Sequence, residues 1–182
     1  MKSIDLGLVM EIQAHIRQVK DFPKQGINFF DISTLMANPM AYRYAIDALA
    51  KQVASIRPDF ILGIESRGFL VAPPLALSLD CGFGMIRKKG RLPGKTISHQ
   101  YELEYGHDEI EIQLNVVPKN ARVLVVDDLI ATGGTLLASF ALLEQIQANV
   151  VGAACLIELN DLGARERLKC PFFCLLSCPS QG

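Results

Sequence analysis

The chain has 182 residues, half of them hydrophobic and a fifth charged, with a formal net charge of −1 at pH 7. That length suits a single domain with a substantial core, and so small a charge gives no global attraction for nucleic acid, so any anion site is local. No apolar run reaches the roughly 18 residues of a membrane span.

Lys2, Asp5 and Glu11 interrupt the first apolar residues, which argues against a signal peptide. Five cysteines, an odd number, read as free thiols, and the expected compartment is the cytoplasm. Leu8, Val9, Ile12, Ile16 and Val19 recur at helical spacing and predict an amphipathic first helix. From Asp21 to Leu35, DFPKQGINFFDISTL, Pro23 and Gly26 break the chain into an irregular connection. Its aromatics suit a ligand contact or a hydrophobic plug equally well. Asn38 and Pro39 read as an N-cap and an N1 proline. The helix they open carries Tyr42, Ala45, Ile46, Leu49, Val53 and Ile56 on one core face, and Pro58 ends it.

Phe60 to Ile64 is a short buried strand that delivers Glu65-Ser66-Arg67-Gly68-Phe69. An Arg beside Gly at a strand end can present its fork to pyrophosphate oxygens, or pair with Glu65 at the surface. A helix over Phe69 to Leu79 is expected to be irregular near its start because of Pro73-Pro74. Phe83 to Ile86 is a strand that leads into Arg87, Lys88, Lys89, Arg91 and Lys95, five cations in nine residues. In a near-neutral chain this run fits a site for a small polyanion better than a solvated face or a nucleic-acid surface. Tyr101, Leu103 and Tyr105 alternate, as do Ile110, Ile112 and Leu114, which predicts two strands turning at Gly106-His107. The hairpin is either a lid that excludes water or a solvent-facing ribbon. His99, the obvious candidate for proton transfer, reads as a loop residue.

Pro118-Lys119-Asn120 turns into Val123 to Val126, an apolar strand with Asp127 and Asp128 at its end. Ala131-Thr132-Gly133-Gly134-Thr135 follows and opens a helix with Leu136, Phe140, Leu143 and Ile146 toward the core. Ligands of open α/β sheets sit past the carboxyl ends of the strands. A Gly/Thr turn there offers free N–H groups, hydroxyls and a helix dipole to a phosphate. Ionised carboxylates beside it accept from the hydroxyls of a sugar diol. The turn has neither the Lys of a Walker A loop nor the spacing of GxGxxG. Val150 to Ile157 is a further strand ending at Glu158-Leu159, Asn160 to Lys169 a short helix with Arg165, Glu166 and Arg167 in solvent, and Phe172 to Leu176 the last strand. Cys170, Cys174 and Cys178 share a face of it but, with no CxxC pair and no nearby His, read as thiols rather than metal ligands. Helices alternating with apolar strands predict an α/β fold with a mostly parallel, twisted sheet flanked by helices, one domain over residues 1–182.

The string VLVVDDLIATGGTL, Val123 to Leu136, resembles the phosphoribosyl-pyrophosphate (PRPP) signature of type I phosphoribosyltransferases, and further segments are similar to the adenine phosphoribosyltransferase family over nearly the whole chain. The resemblance implies a hood over residues 1–35 that forms the base pocket, and a cationic loop and inserted hairpin lid over residues 87–109. It implies transfer of the 5-phosphoribosyl group from PRPP to adenine, giving AMP and pyrophosphate. Mg²⁺ would be carried by the pyrophosphate with no direct protein ligand, and the protein would be a homodimer. Asp127 and Asp128 would clamp the ribose, and Ala131, Thr132, Gly133, Gly134 and Thr135 would cradle its phosphate. Phe29 would stack on the purine opposite Leu159, with the backbone of Asn28 and Phe30 bonding the base edge. Many relatives carry Arg where this chain has Phe30. The Glu-Ser-Arg-Gly-Phe loop implies Arg67 as a pyrophosphate ligand. The Arg-Lys-x-Gly-x-Leu-Pro run adds Lys88 and Arg91, with Arg87 reaching across a dimer interface. Leu103-Glu104-Tyr105-Gly106 matches a motif of the catalytic hood, which makes Glu104 the acid/base residue and Tyr105 a lid contact. Two other readings stand beside this one. A transferase for a 6-oxopurine would want a Lys near Leu159, where none occurs. A non-catalytic PRPP sensor would want a nucleic-acid-binding element, for which there is neither spare length nor basic charge.

Overall fold

The structure, a computed structural model, describes residues 12–102 and 106–181. A helical turn at residues 12–14 leads into β1 (Arg17–Lys20), which pairs antiparallel with β2 (Asn28–Asp31), Val19 lying opposite Phe29. Val19, expected in the first helix, therefore lies in a strand, and the segment read as irregular supplies the second strand of a β-ribbon and its irregular turn. That turn contains the cis Phe22–Pro23 bond and Gly26 at φ 84°. Cross-strand polar pairs hold the ribbon: Arg17 Nε donates to Asp31 at 3.2 Å, and Asn28 Nδ2 to Gln18 at 3.1 Å.

Two helices follow, α1 (Ser33–Ala37) and α2 (Pro39–Val53). Asn38 caps α2 as its type predicts: Oδ1 accepts from the N–H groups of Met40 and Ala41, each at 3.1 Å, a device worth about 1 kcal/mol. After β3 (Phe60–Ile64), α3 (Gly68–Ser78) holds Pro73 and Pro74 in its interior rather than making an irregular start. Each proline removes an intrahelical donor four residues on from a carbonyl. The Leu70 carbonyl freed in this way accepts instead from the Tyr42 hydroxyl of α2.

The remaining elements are β4 (Gly82–Lys88), β5 (Thr96–Glu102), β6 (His107–Gln113), β7 (Arg122–Val126), β8 (Leu129–Ile130), α4 (Gly134–Gln145), β9 (Asn149–Leu159), α5 (Ala164–Arg167) and β10 (Phe172–Cys178). Strands in the order β10-β9-β7-β3-β4 run parallel, β6 and then β5 extend the sheet antiparallel, and the short β8 pairs with β9. The period of two along β7 divides the core. Leu124 and Val126 pack with Leu49 of α2 and Leu75 of α3 on one face. Val123 and Val125 pack with Leu136 and Leu142 of α4 on the other. The carboxyl ends of β3, β4, β7 and β9 therefore meet at one edge, where the expected site residues lie.

Candidate active site

The segment Ala131 to Leu136, together with Asp127, lines a cup of ≈ 140 Å³. Gly133, at φ 78° with no side-chain cap, is the N-cap of α4, so the first N–H groups of the helix remain for a ligand. A left-handed φ favours glycine, and Ala164 lies so close beneath that an added Cβ would sit 3.3 Å from its methyl. Asp127 and Thr135 also line an adjoining cleft of ≈ 300 Å³ with Glu65, Arg87, Lys88, Tyr101 and Asp108. Cup and cleft thus share a wall.

The acidic pair is enclosed. Asp128 is 3 % exposed, and Asp127 Oδ1 accepts from the Asp128 N–H at 2.9 Å. Burial, then the neighbouring Asp128 charge, pushes the Asp127 carboxyl well above its ordinary value. Burial also raises Asp128, opposed by the Arg67 guanidinium. Arg67 Nε lies 3.0 Å from Asp128 Oδ2, its guanidinium carbon is 4.8 Å from the centre of the Phe29 ring, and its Nη1 donates to the Phe30 carbonyl at 3.4 Å. Arg67 therefore joins the acidic pair to the hood. It can do so because the chain turns tightly there: an added Cβ on Gly68 would lie 2.8 Å from the Val126 carbonyl. The Glu65–Ser66 peptide that precedes Arg67 is cis.

Glu65 organises the cations. It accepts from Arg87 Nε at 3.2 Å and Nη2 at 3.1 Å, from the Lys88 N–H at 2.9 Å and from Arg91 Nη1 at 2.7 Å. Burial alone would raise its carboxyl, but these bonds outweigh it and hold it below the ordinary value. Lys88 Nζ pairs with Asp108 at 2.8 Å, a bond that raises the ammonium and lowers the carboxyl. Tyr101 bridges the hairpin to the cup, its hydroxyl 3.3 Å from Asp108 Oδ2 and 3.2 Å from Thr135 Oγ1.

Those of the sequence-derived residues that the structure describes lie at or near the carboxyl edge of the sheet, with particulars of their own. Asp127 and Thr135 line both cup and cleft, Arg87 and Lys88 line the cleft, and Arg91 joins them through Glu65, while Asp128 is buried behind Asp127 and lines neither. Phe29 is half-buried, while Phe30, its neighbour in the ribbon, points into the core at 4 % exposure and leaves its carbonyl to Arg67. Asn28 turns its side chain to Gln18. Leu159 ends β9 beside Cys178 of β10, in the same cluster as Phe30. Glu104 and Tyr105 lie outside the described residues. His99 belongs to β5, 3.4 Å from Gln145 of α4, and not to a loop. Tyr101, Asp108 and the organising part of Glu65 went unread. The acidic run Asp108 to Glu111 opposite the cations Arg87 to Arg91 was the available signal, because antiparallel pairing of β4 with β6 makes the two runs face each other.

A parallel sheet with a phosphate cup and an acidic pair at its carboxyl edge defines the class, and the family model described as the phosphoribosyl transferase domain matches residues 31–177. The adenine phosphoribosyltransferase of Rhodospirillum rubrum is 56% identical over 171 residues, covering 94% of this chain and 100% of that one. The crystal structure of the Saccharomyces cerevisiae enzyme, complexed with an imino-altritol bisphosphate and adenine, superposes with a TM-score of 0.89 at 40% identity over 93% of this chain and 98% of that one. That of Trypanosoma brucei, in complex with AMP, pyrophosphate and ribose-5-phosphate, gives 0.86 at 28% identity, over 96% and 81%. The chain belongs to the adenine phosphoribosyltransferase family.

Proposed function

We infer that the protein transfers the 5-phosphoribosyl group from PRPP to adenine, giving AMP and pyrophosphate. The observation that carries this reading is Asp127 in the lining of the cup at the head of α4, with Asp128 buried behind it, an arrangement that suits a ligand with a phosphate at one end and a diol beside it. The names of the relatives supply the base. Asp127 and Asp128 accept from the ribose hydroxyls while the N–H groups of the cup hold the 5-phosphate, a positioning contribution that aligns the anomeric carbon with the incoming nitrogen. Breaking the anomeric carbon–oxygen bond leaves negative charge on pyrophosphate. Arg67, Arg87, Lys88 and Arg91 stabilise it, Arg87 from this chain's own cleft, where Glu65 holds it, rather than from across a dimer interface. Phe29 and Leu159 flank the base, the backbone of Asn28 and Phe30 bonds its edge, and Tyr105 closes over the site. Glu104 manages the purine proton, help typically worth roughly 100- to 10,000-fold.

The described residues contain no group of three His, Cys, Asp or Glu able to hold a metal ion. Mg²⁺ would arrive on the substrate, since that ion keeps its waters and binds through phosphates with one or two carboxylates at most. When bound, it offsets charge on the departing pyrophosphate. A homodimer, the assembly that the family resemblance implies, belongs to the same reading. Among the described residues no helix is long and apolar enough to cross a membrane. The five free cysteines favour a reducing compartment, the cytoplasm.

The test is product formation from PRPP and Mg²⁺ with adenine, hypoxanthine, guanine and xanthine in parallel. Turnover confined to adenine is expected. Turnover with a 6-oxopurine instead would refute the base pocket and leave the phosphoribosyl site standing. Binding of PRPP without turnover of any base would make the protein a sensor.

A further inference from the structure

Arg165 and Arg167, which sequence placed in solvent, make contacts behind the cup. Buried Glu158 accepts from Arg165 Nε at 3.0 Å and Nη2 at 2.6 Å, and the Arg165 guanidinium lies 4.6 Å from the Phe172 ring centre. These contacts fasten α5 to β9 and β10. From the end of α5, Arg167 Nη1 donates to the Thr132 carbonyl at 2.8 Å.

We propose that Arg167 is a positioning residue for phosphate binding: it holds the Thr132–Gly133 peptide so that the Gly133 N–H faces into the cup. This rests on the reading of the cup as the site of the ribose phosphate. In a planar trans peptide the C=O and the following N–H point in opposite directions, and the Thr132–Gly133 bond is not among the cis bonds. Arg167 is not part of the cup's lining. Drawing the Thr132 oxygen out to Arg167 therefore turns the Gly133 N–H inward. The opposite orientation would set a carbonyl oxygen against the phosphate, exchanging a donor for an acceptor. Glycine, with no Cβ, leaves that rotation open, so the backbone alone does not choose. A charge-assisted bond on the outer side does, and the Arg165–Glu158 pair gives it a fixed base. The Arg167 side chain acts only through the loop, without touching the substrate.

The experiment titrates the full-length chain and the variants Arg167→Ala, Arg167→Lys and Thr135→Ala with AMP and, separately, with inorganic pyrophosphate in the presence of Mg²⁺. Arg167→Ala is expected to weaken AMP about tenfold and to leave pyrophosphate within about twofold. Arg167→Lys keeps one charged donor and should recover most of the loss. The deficit should persist at about 0.5 M salt, where plain long-range attraction is screened. Equal weakening of both ligands, disappearance of the deficit in salt, or unchanged AMP binding in Arg167→Ala while Thr135→Ala loses it would each overturn the positioning role alone. AMP binding unmoved in both Arg167→Ala and Thr135→Ala would overturn the reading of the cup, and this inference with it.

Discussion

Gly68→Ala tests whether a close backbone approach sets the geometry of Arg67. An added Cβ would lie 2.8 Å from the Val126 oxygen, 3.0 Å from Asp127 Oδ1 and 3.2 Å from the Asp127 Cα. Val126 cannot yield easily, because β7 is paired on one side with β3 and on the other with β9. Relief must come from the start of α3, which would have to move outward by several tenths of an ångström. Overpacking of this kind costs about 1–3 kcal/mol, and the reduced freedom of the unfolded chain returns about 0.4–1 kcal/mol. The net loss is on the order of 1–2 kcal/mol, or about 2–8 °C in Tm for a chain of this size. Activity is the sharper readout. Arg67 directly precedes the moved residue and lies 3.0 Å from Asp128. A misplacement of about 1 Å can cost about 100-fold, so roughly tenfold in kcat/KM is expected for about half that shift. Thermal unfolding and steady-state rates with adenine and PRPP measure both. An Ala variant with the parent's Tm and a kcat/KM within about twofold of the parent's would refute the reasoning.

Asp127→Asn keeps the oxygen that accepts from the Asp128 N–H but removes a carboxylate disfavoured by burial and by Asp128. Because the folded value is raised, the parent is penalised as pH rises through it. The variant should therefore gain about 1 kcal/mol in stability near neutrality, a gap that grows with pH until it passes the raised Asp127 value and then levels, while kcat/KM falls roughly 10- to 100-fold; a variant no more stable than the parent at pH 8 counts against the account. Asp31 is held down to about 2, chiefly by hydrogen bonds from Ser33 and then by Arg17. Its contribution is present above the ordinary carboxylate range and lost as pH falls through about 2, so the Tm difference between parent and Asp31→Asn should shrink between pH 5 and pH 2. Glu65→Gln releases Arg87 and Arg91; with both arginines partly in solvent, the stability loss should be only about 1–2 kcal/mol. KM for PRPP should rise more than KM for adenine, and equal changes would argue against Glu65 as organiser of the cations.

Local rules carried most of the fold. The Val123 to Val126 strand, its carboxyl-edge turn and the Asn38 cap each follow from residues adjacent in sequence, and each is seen. The β1–β2 ribbon was not legible, because its strands are four residues each and are held by pairs such as Arg17–Asp31, which no period reveals. In the site, residue types pointed to a phosphate and a diol, and resemblance named the cations, but neither said with what each cation pairs. Arg67 turning to Asp128 and Phe29, Lys88 to Asp108, and Arg167 to Thr132 are contacts between residues from 20 to 61 positions apart, created by the packing of elements distant in sequence. The prolines of α3 are a similar case. Their tolerance depends on Tyr42, far back in the chain.

Each of the four cations named at the cleft has a carboxylate of the chain beside it: Arg67 has Asp128, Arg87 and Arg91 share Glu65, and Lys88 has Asp108. Three carboxylates thus offset most of the charge of the four cations, while burial disfavours a charge on Asp127, so the cleft projects less field into solvent than its cations alone would. A chloride or sulfate ion arriving there gains less than it would at free cations, because it must compete with carboxylates already paired with them. A ligand that brings several phosphate oxygens for the cations, and hydroxyls for the carboxylates they leave, can exchange partners throughout. Rejection of the small inorganic anions common in cells therefore resides in the chain's own ion pairs, and capture of the right ligand should depend only weakly on ionic strength.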